Sequence, residues 1–410
     1  MKTIFRSLGM GGLLAVSIGL AAVSGHAQDA CSDTAGQDTL QNKIRETYAK
    51  DKKTAIDAGK QLLEKFGTCE YSKDFVAWLN PQLPKWEKFL DDQAQGQVLK
   101  GILDRYDAGI KSKNYDDSYV ALGELLAKFP DRKGNLNQIL PLGLVGLYQS
   151  YPPTKNYKYN DQTLKYAALA ASRLKANEEA TKKNPAGVPV YGVFEFEMSK
   201  EDALSELAYA QAYITYWAKG DKKSALPLYF ASIQMAGRHK DDPYSYATIA
   251  GFYADEAGRL GKEYAAKVAT RSTTDTPEVA AQKEADIKTT EGLLKGYLDR
   301  AIDAYSRAYN YTKNDAASKA TRDGIYKTIQ DLYKLRYQKD TGINEFITAT
   351  VAKPMPNPTT EVTPVIEADT TTTTGGDAAA SVASNTATAK PATTTAKPAT
   401  TTAKPVKPRK

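Results

Sequence analysis

Apolar residues recur every three to four positions through most of this chain, which is the spacing of an amphipathic helix. The N-terminal third predicts a helical hairpin formed by Thr39–Lys50 and Lys53–Phe66. Further helical candidates are Tyr71–Leu90, Tyr115–Phe129, Leu136–Tyr148, Asp161–Thr181 and Thr276–Leu294. One stretch, Pro185–Met198, alternates like an extended segment instead. The pattern therefore predicts an all-α fold.

Parts of this helical pattern repeat. The five residues Asp51–Ala55 are matched almost residue for residue by Asp221–Ala225. In three places a helix breaker follows a small residue after twelve positions, namely Ala55 to Gly67, Ser118 to Pro130 and Ala225 to Gly237. A fourth copy around Ala301 has no clear breaker. Because small residues let two helices approach closely, the repetition predicts similar helical hairpins along the chain.

The clearest copy lies in Leu204–Glu256. Its first helix carries Tyr209, Ala212, Tyr213 and Tyr216, and its second carries Ala225 and Tyr229 before Gly237. After Asp242-Pro243, a capping residue and a first-turn proline, the pattern begins again with Tyr246, Ile249, Ala250 and Tyr253. This arrangement resembles the tetratricopeptide repeat, W-x2-L-G-x2-Y followed by A-x3-F and a breaker.

The resemblance implies an α-solenoid of helical hairpins over residues 28–352, with a concave groove that holds a protein or peptide partner. In that family the first helix of each hairpin faces the groove, which makes Tyr213, Trp217 and Tyr244 the expected binding residues. Tyr216 and Tyr253 match packing positions of the repeat and are expected in the core. Trp217 is expected to be exposed, since the repeat motif has no large packing residue at its position.

The N-terminus has the features of a secretory signal. Lys2 and Arg6 precede the apolar run Leu8–Val23, and small residues suit cleavage after Ala27. A retained membrane anchor and lipidation at Cys31 are alternatives; glycines in the apolar run and the lack of a lipobox before Cys31 weigh against them. Residues 1–27 are thus predicted to be a signal peptide, with no membrane span after cleavage and a periplasmic or extracellular destination.

The mature chain has two cysteines, Cys31 and Cys69, which flank the first predicted hairpin. In an exported protein two cysteines favour a disulfide bond over a metal or catalytic site. Two free, buried thiols are the alternative.

From Lys353 the composition changes to Pro, Thr, Ala and Lys, with a seven-residue repeat marked by Lys390, Lys397 and Lys404. So few large apolar residues predict a disordered tail over 353–410 that folding does not need. Of the formal charge of +7, the signal contributes +2 and the tail +3, which leaves +2 for the body. A nearly neutral body argues against nucleic acid as a partner.

Candidate chemistry is sparse. His239 is the one histidine left after signal cleavage, and it stands in a polar turn where we expect an exposed loop residue. No group of residues has metal-ligand spacing, and no glycine-rich nucleotide motif occurs, so no cofactor is predicted. Glu195 and Glu197 form a carboxylate pair for which a glycosidase can be imagined, but the solvent-facing side of an extended segment is the favoured explanation, since catalytic carboxylates normally come from separate elements.

The sequence therefore predicts a non-enzymatic, exported scaffold that binds a protein or peptide in the cell envelope. One alternative is a structural envelope protein whose basic tail contacts anionic wall or surface polymer. Another is a carboxylate-dependent hydrolase that uses Glu195 and Glu197.

Overall fold

The protein is represented by a computed structural model that describes residues 30–151, 153–194 and 196–366. Within these residues the fold is helical apart from one two-stranded hairpin, which confirms the predicted all-α class. The predicted signal peptide and the tail from residue 367 onward lie outside the described residues. The described part of the chain contains no helix that is both long and apolar enough to cross a membrane.

The chain divides into two compact units, and the division falls between Gly101 and Ile102, inside a long helix. The helices up to this point are α1 Thr34–Thr47, α2 Lys52–Phe66, α3 Lys73–Leu79 and α4 Leu83–Ser112, with a 3-10 turn at Glu70–Ser72. The predicted first hairpin is confirmed as α1 and α2, which pack on each other. Its core includes Ile44, Leu62, Leu79 and Trp86.

A disulfide bond joins Cys31 to Cys69 in this first unit, as the sequence predicts. The bond connects the segment before α1 to the turn after α2, and the two Cα atoms are 5.2 Å apart. Cys69 is buried in the same apolar core as Phe66 and Leu62. The alternative of two free thiols is therefore wrong.

The second unit contains the remaining helices: α5 Tyr115–Lys128, α6 Leu136–Leu142, α7 Val145–Ser150, α8 Asn160–Lys175, α9 Lys200–Tyr213, α10 Lys222–Gln234, α11 Pro243–Val268, α12 Pro277–Tyr311, α13 Lys319–Tyr337 and α14 Ile343–Val351. The predicted extended segment forms strands β1 Tyr191–Val193 and β2 Phe196–Met198, which pair in antiparallel register.

Two helices of this unit depart from the repeat pattern. Helix α11 has 26 residues and α12 has 35, whereas a 34-residue repeat must fit two helices and their turns. The predicted copy around Ala301 lies inside α12, and nothing from Pro277 to Tyr311 interrupts the helix to separate the two helices of a hairpin. Tyr216 and Tyr253 are buried, as predicted. The α-solenoid arrangement remains a prediction.

The described chain ends in an extended strap, residues 353–366, that lies on α12. Glycines of α12 permit this contact: a Cβ on Gly296 would lie 2.8 Å from the carbonyl oxygen of Thr363, and the Val365 amide donates to the carbonyl of Gly292 at 2.9 Å. This corrects the predicted start of the tail at Lys353. The prediction rests on the average composition from Lys353 onward, in which the few apolar residues that dock carry little weight.

Side chains of the strap and of α12 both contribute to this contact. Met355 and Val362 are buried, and Arg300 donates to the Asn357 carbonyl and the Thr360 hydroxyl. The buried guanidinium of Arg307 donates to the carbonyl oxygen of Lys353 at 2.7 Å. The strap is therefore part of the folded unit.

Truncation after Ala352 is expected to destabilise the second unit by about 2 to 3 kcal/mol, because two apolar side chains lose their burial and Arg307 loses a carbonyl acceptor. Thermal melting should show a midpoint several degrees lower. The control is truncation after Ile366, which leaves the strap in place. Equal midpoints for the two truncations would contradict the docking of residues 353–366.

Candidate functional site: an aromatic surface above a buried carboxylate

Helix α9 ends in a π-helical turn at Ile214–Ala218. In this turn the amide of Lys219 donates to the carbonyl of Ile214, five residues earlier, at 3.0 Å. Such a turn holds one residue more than an α-helical turn and shifts the side chains that follow it, and π turns are frequent at functional sites. Here Tyr216 faces the core while Trp217 is 46% exposed.

Beneath Trp217 lies Tyr229 of α10, which is completely buried. Its ring packs edge-on against those of Tyr209 and Tyr216, with centroids 5.9 and 6.0 Å away. Its hydroxyl has no hydrogen bond of regular geometry with the described residues, and the side chain that approaches it as a hydrogen-bond partner is the indole of Trp217. Trp217 is therefore linked to the buried ring below it while part of its own ring stays in water.

Tyr244 reaches the same place from the start of α11. The Asp242 carboxylate caps this helix by accepting from the amide of Ser245 at 2.9 Å, and the cap fixes the first turn that carries Tyr244. Tyr244 is 48% exposed. Burial of its hydroxyl end, the neighbouring Tyr213 and Asp242 raise the pKa of Tyr244 to about 12.

The three residues expected to bind a partner therefore lie close to Tyr229. Tyr213 is half-buried and packs on Tyr151 at 5.1 Å between ring centroids, and Tyr213, Trp217 and Tyr244 all act on the pKa of Tyr229. We call Tyr213, Trp217 and Tyr244 the aromatic surface. It combines flat apolar rings with two hydroxyl groups and an indole N–H, which suits recognition of a ligand that has both apolar and polar parts.

Seven residues before Tyr213 on the same helix lies a buried carboxylate that is not among the predicted site residues. The side chain of Glu206 on α9 is only 5% exposed. One of its oxygens accepts a hydrogen bond from the Tyr148 hydroxyl at 2.7 Å, and the other lies 2.7 Å from Nε2 of His239. Arg238 contacts the same oxygen at 3.5 Å. We call Glu206, Tyr148 and His239 the buried polar cluster.

The cluster keeps Glu206 ionised. Burial opposes ionisation, but the hydrogen bond and charge of His239, the Tyr148 hydroxyl and the charge of Arg238 outweigh it and lower the pKa of Glu206. Conversely, burial and the Glu206 charge raise the pKa of Tyr148 far above its usual range. Tyr148 is thus held as a neutral donor to a carboxylate.

The expectation that His239 is an exposed loop residue is wrong. Its side chain is 16% exposed, its ring stacks on Tyr209 at 4.0 Å between centroids, and its amide donates to the Ser205 hydroxyl at 3.2 Å. Gly237 makes this path possible, since it adopts a φ of 150° and a Cβ there would lie 2.7 Å from the carbonyl of Glu201. The polar turn therefore folds back onto α9.

A signal for this cluster exists in the sequence. Glu206 lies on the helical face defined by Ala203, Leu207 and Ala210, all of which are fully buried. A charged residue on an apolar helical face must find a partner or stay un-ionised. The sequence does not say that the partner lies 33 residues away in His239.

The β-hairpin covers one side of the cluster. Phe194 packs edge-on against the Tyr148 ring at 5.8 Å between centroids, and Phe196 does so at 6.1 Å. Arg238 lies over the Phe196 ring at 5.6 Å. The hairpin is thus held by aromatic contacts with residues of the cluster and its surroundings.

The carboxylate pair proposed for a hydrolase has less support. Glu197 forms an ion pair with Lys182 at the protein surface, and Glu195 lies outside the described residues. In the part of the chain that the structure describes, no group of three or more histidine, cysteine or acidic residues is placed to hold a metal ion.

Comparison with known proteins found no matching protein-family model, curated protein or solved structure. The tetratricopeptide resemblance consequently remains a prediction that rests on the motif in Leu204–Glu256.

Proposed function

We propose that this protein is an exported, non-enzymatic binding protein that holds a protein or peptide partner on the aromatic surface. The observation that carries the proposal is that Trp217 and Tyr244, which come from different helices, each leave almost half of their surface exposed near the buried Tyr229, with the half-buried Tyr213 beside them. Export is supported by the signal-like N-terminus and by the Cys31–Cys69 disulfide.

Physical chemistry favours binding at this surface. Tryptophan and tyrosine are the residues most enriched at energetically dominant positions of protein interfaces, because a large rigid ring buries much area at little cost in side-chain entropy. Trp217 leaves almost half of its surface in water although it sits in a well-packed helical unit. The π turn places its ring there, beside the buried ring of Tyr216 at 4.8 Å between centroids.

The Trp217→Ala variant is expected to lose at least about 2 kcal/mol of partner affinity, a factor of about 30 in Kd, with little change in melting temperature. Wild type and variant should be used to capture partners from an envelope extract, and partners that depend on Trp217 should then be purified for measurement of Kd. Val120→Ala is the matched control, since Val120 is exposed on α5 and far from the three aromatic residues in sequence. A partner bound equally by all three proteins would refute this site.

The same measurement distinguishes a structural role of Trp217 from a binding role. If Trp217→Ala unfolds the second unit, its circular dichroism and melting temperature change together with binding. Tyr244→Phe then provides a milder test, because it removes only the hydroxyl and leaves the packing of the ring. Loss of binding in a folded variant supports the proposal.

A further inference from the structure

We propose that the aromatic surface is occupied by the chain's own C-terminal Lys-Pro repeats, residues 389–410. This inference rests on the proposed binding role of the surface and names the segment that fills it when no other partner is bound. The tail contains four prolines after Ile366, and each follows a lysine: Lys390-Pro391, Lys397-Pro398, Lys404-Pro405 and Lys407-Pro408.

Proline-containing segments suit this surface chemically. A residue that precedes proline is restricted to extended conformations, and a polyproline helix has carbonyl groups without internal hydrogen bonds. Such segments dock on surfaces lined by tyrosine and tryptophan, whose rings pack on proline while hydroxyl and indole groups donate to the carbonyls. The aromatic surface offers the partly exposed rings of Tyr213, Trp217 and Tyr244 for this purpose.

One carboxylate lies beside the surface, that of Asp242, two residues before Tyr244 at the start of α11. The carboxylate of Asp255 is already paired with Lys222 at 2.8 Å. An ammonium group is also attracted to the face of a tryptophan ring. Residues 367–410 carry six lysines and arginines against three acidic residues.

The strap places the start of the tail within reach. Val365 is hydrogen-bonded to Gly292, and Tyr311, 19 residues further along α12, stacks on Tyr246 beside Tyr244. Nineteen helical residues span about 28 Å. For the composition of residues 367–389, rich in Thr, Ala, Ser and Gly, the r.m.s. span of 23 residues is about 26 Å. Because the two lengths are similar, the repeats can reach the surface from the same chain, and the tether raises their effective local concentration there.

Photo-crosslinking in the full chain tests the inference. p-Benzoylphenylalanine is placed at Ala218, which is exposed and adjacent to Trp217, so that the aromatic surface itself stays unchanged. Irradiation of a mixture of isotopically light and heavy chains, followed by mass spectrometry, should give cross-links to residues 389–410 with both ends in the same isotope. The same probe at Val120 on α5 is the control and should give at least tenfold less product.

Two variants sharpen the result. Replacing the four prolines with alanine while keeping every lysine should lower the yield at least tenfold, and Trp217→Ala should do the same. Cross-links that avoid residues 389–410, that survive the proline replacement, or that join light to heavy chains would each overturn the assignment. Failure here leaves Trp217-dependent capture of another partner intact, so the two proposals are distinguishable.

Discussion

The Glu206→Ala variant is expected to lose about 3 to 5 kcal/mol of stability in the second unit, which is the usual cost of removing one partner from a buried charged pair. The Tyr148 hydroxyl and Nε2 of His239 both bond to this carboxylate at 2.7 Å. Without it, a buried hydroxyl and a largely buried imidazole lose their partner, and a cavity remains. Urea unfolding followed by circular dichroism measures the loss.

Glu206→Gln is the matched control. Glutamine keeps the volume and an acceptor for Tyr148 but removes the charge, so the expected loss is smaller, about 1 to 2 kcal/mol. Arg238 contributes little to this difference, because its half-exposed side chain returns to water. If alanine and glutamine destabilise the unit equally and by less than about 1 kcal/mol, the cluster does not stabilise the fold as argued.

The pH dependence of this difference has a definite sign. The pKa of Glu206 is lower in the folded protein than the usual glutamate value, so its ionisation stabilises the fold above the unfolded pKa. That contribution is lost as pH falls through the folded pKa. The stability difference between wild type and Glu206→Gln should therefore be full at about pH 7 and smaller at about pH 3. An unchanged difference would show that the charge of Glu206 is not involved.

Local features of the fold could be predicted from the sequence because they depend on neighbours in the chain. Asp51 and Asp221 open the two matching five-residue segments, and both cap their helices by accepting from the amide three residues later. The exposed Trp217 and the buried Tyr216 follow from a packing pattern within one helix. Helix caps and the distribution of apolar residues around a helix can be recognised from local sequence without knowing the tertiary fold.

Non-local features could not be obtained in this way. The position of His239 depends on how a turn after α10 returns to α9, and the residues of that turn predict only that it is polar. The length of α12 could not be predicted from the repeat motif either, because the motif identifies small residues at helix contacts and does not identify the end of the helix. The docking of the strap could not be predicted from average composition, since the buried residues Met355 and Val362 are a small fraction of the segment.

Removing the disulfide with Cys31→Ala and Cys69→Ala is expected to destabilise the first unit by about 4 kcal/mol, because the bond closes a loop between residues 38 apart and limits the unfolded chain. The described part of this unit, residues 30–101, is small, so a loss of that size is a large share of its stability. Alanine avoids placing a hydroxyl at the buried position of Cys69.

The two units can be followed separately. Trp86 is buried in the core of the first unit and Trp78 packs on it at 5.9 Å between centroids, whereas Trp217 belongs to the second. In a Trp217→Phe background, tryptophan fluorescence therefore reports unfolding of the first unit alone. Urea midpoints are compared for the oxidised protein, the reduced protein and the double alanine variant.

Reduction and double substitution remove the same constraint on the unfolded chain, but only substitution changes the packing of the sulfur atoms. If loop entropy is the main term, both lower the free energy of unfolding by a similar amount. A large loss in the alanine variant with none on reduction would assign the effect to the packing of Cys69 in the core beside Phe66. Equal midpoints for all three proteins would contradict a stabilising role of the Cys31–Cys69 bond.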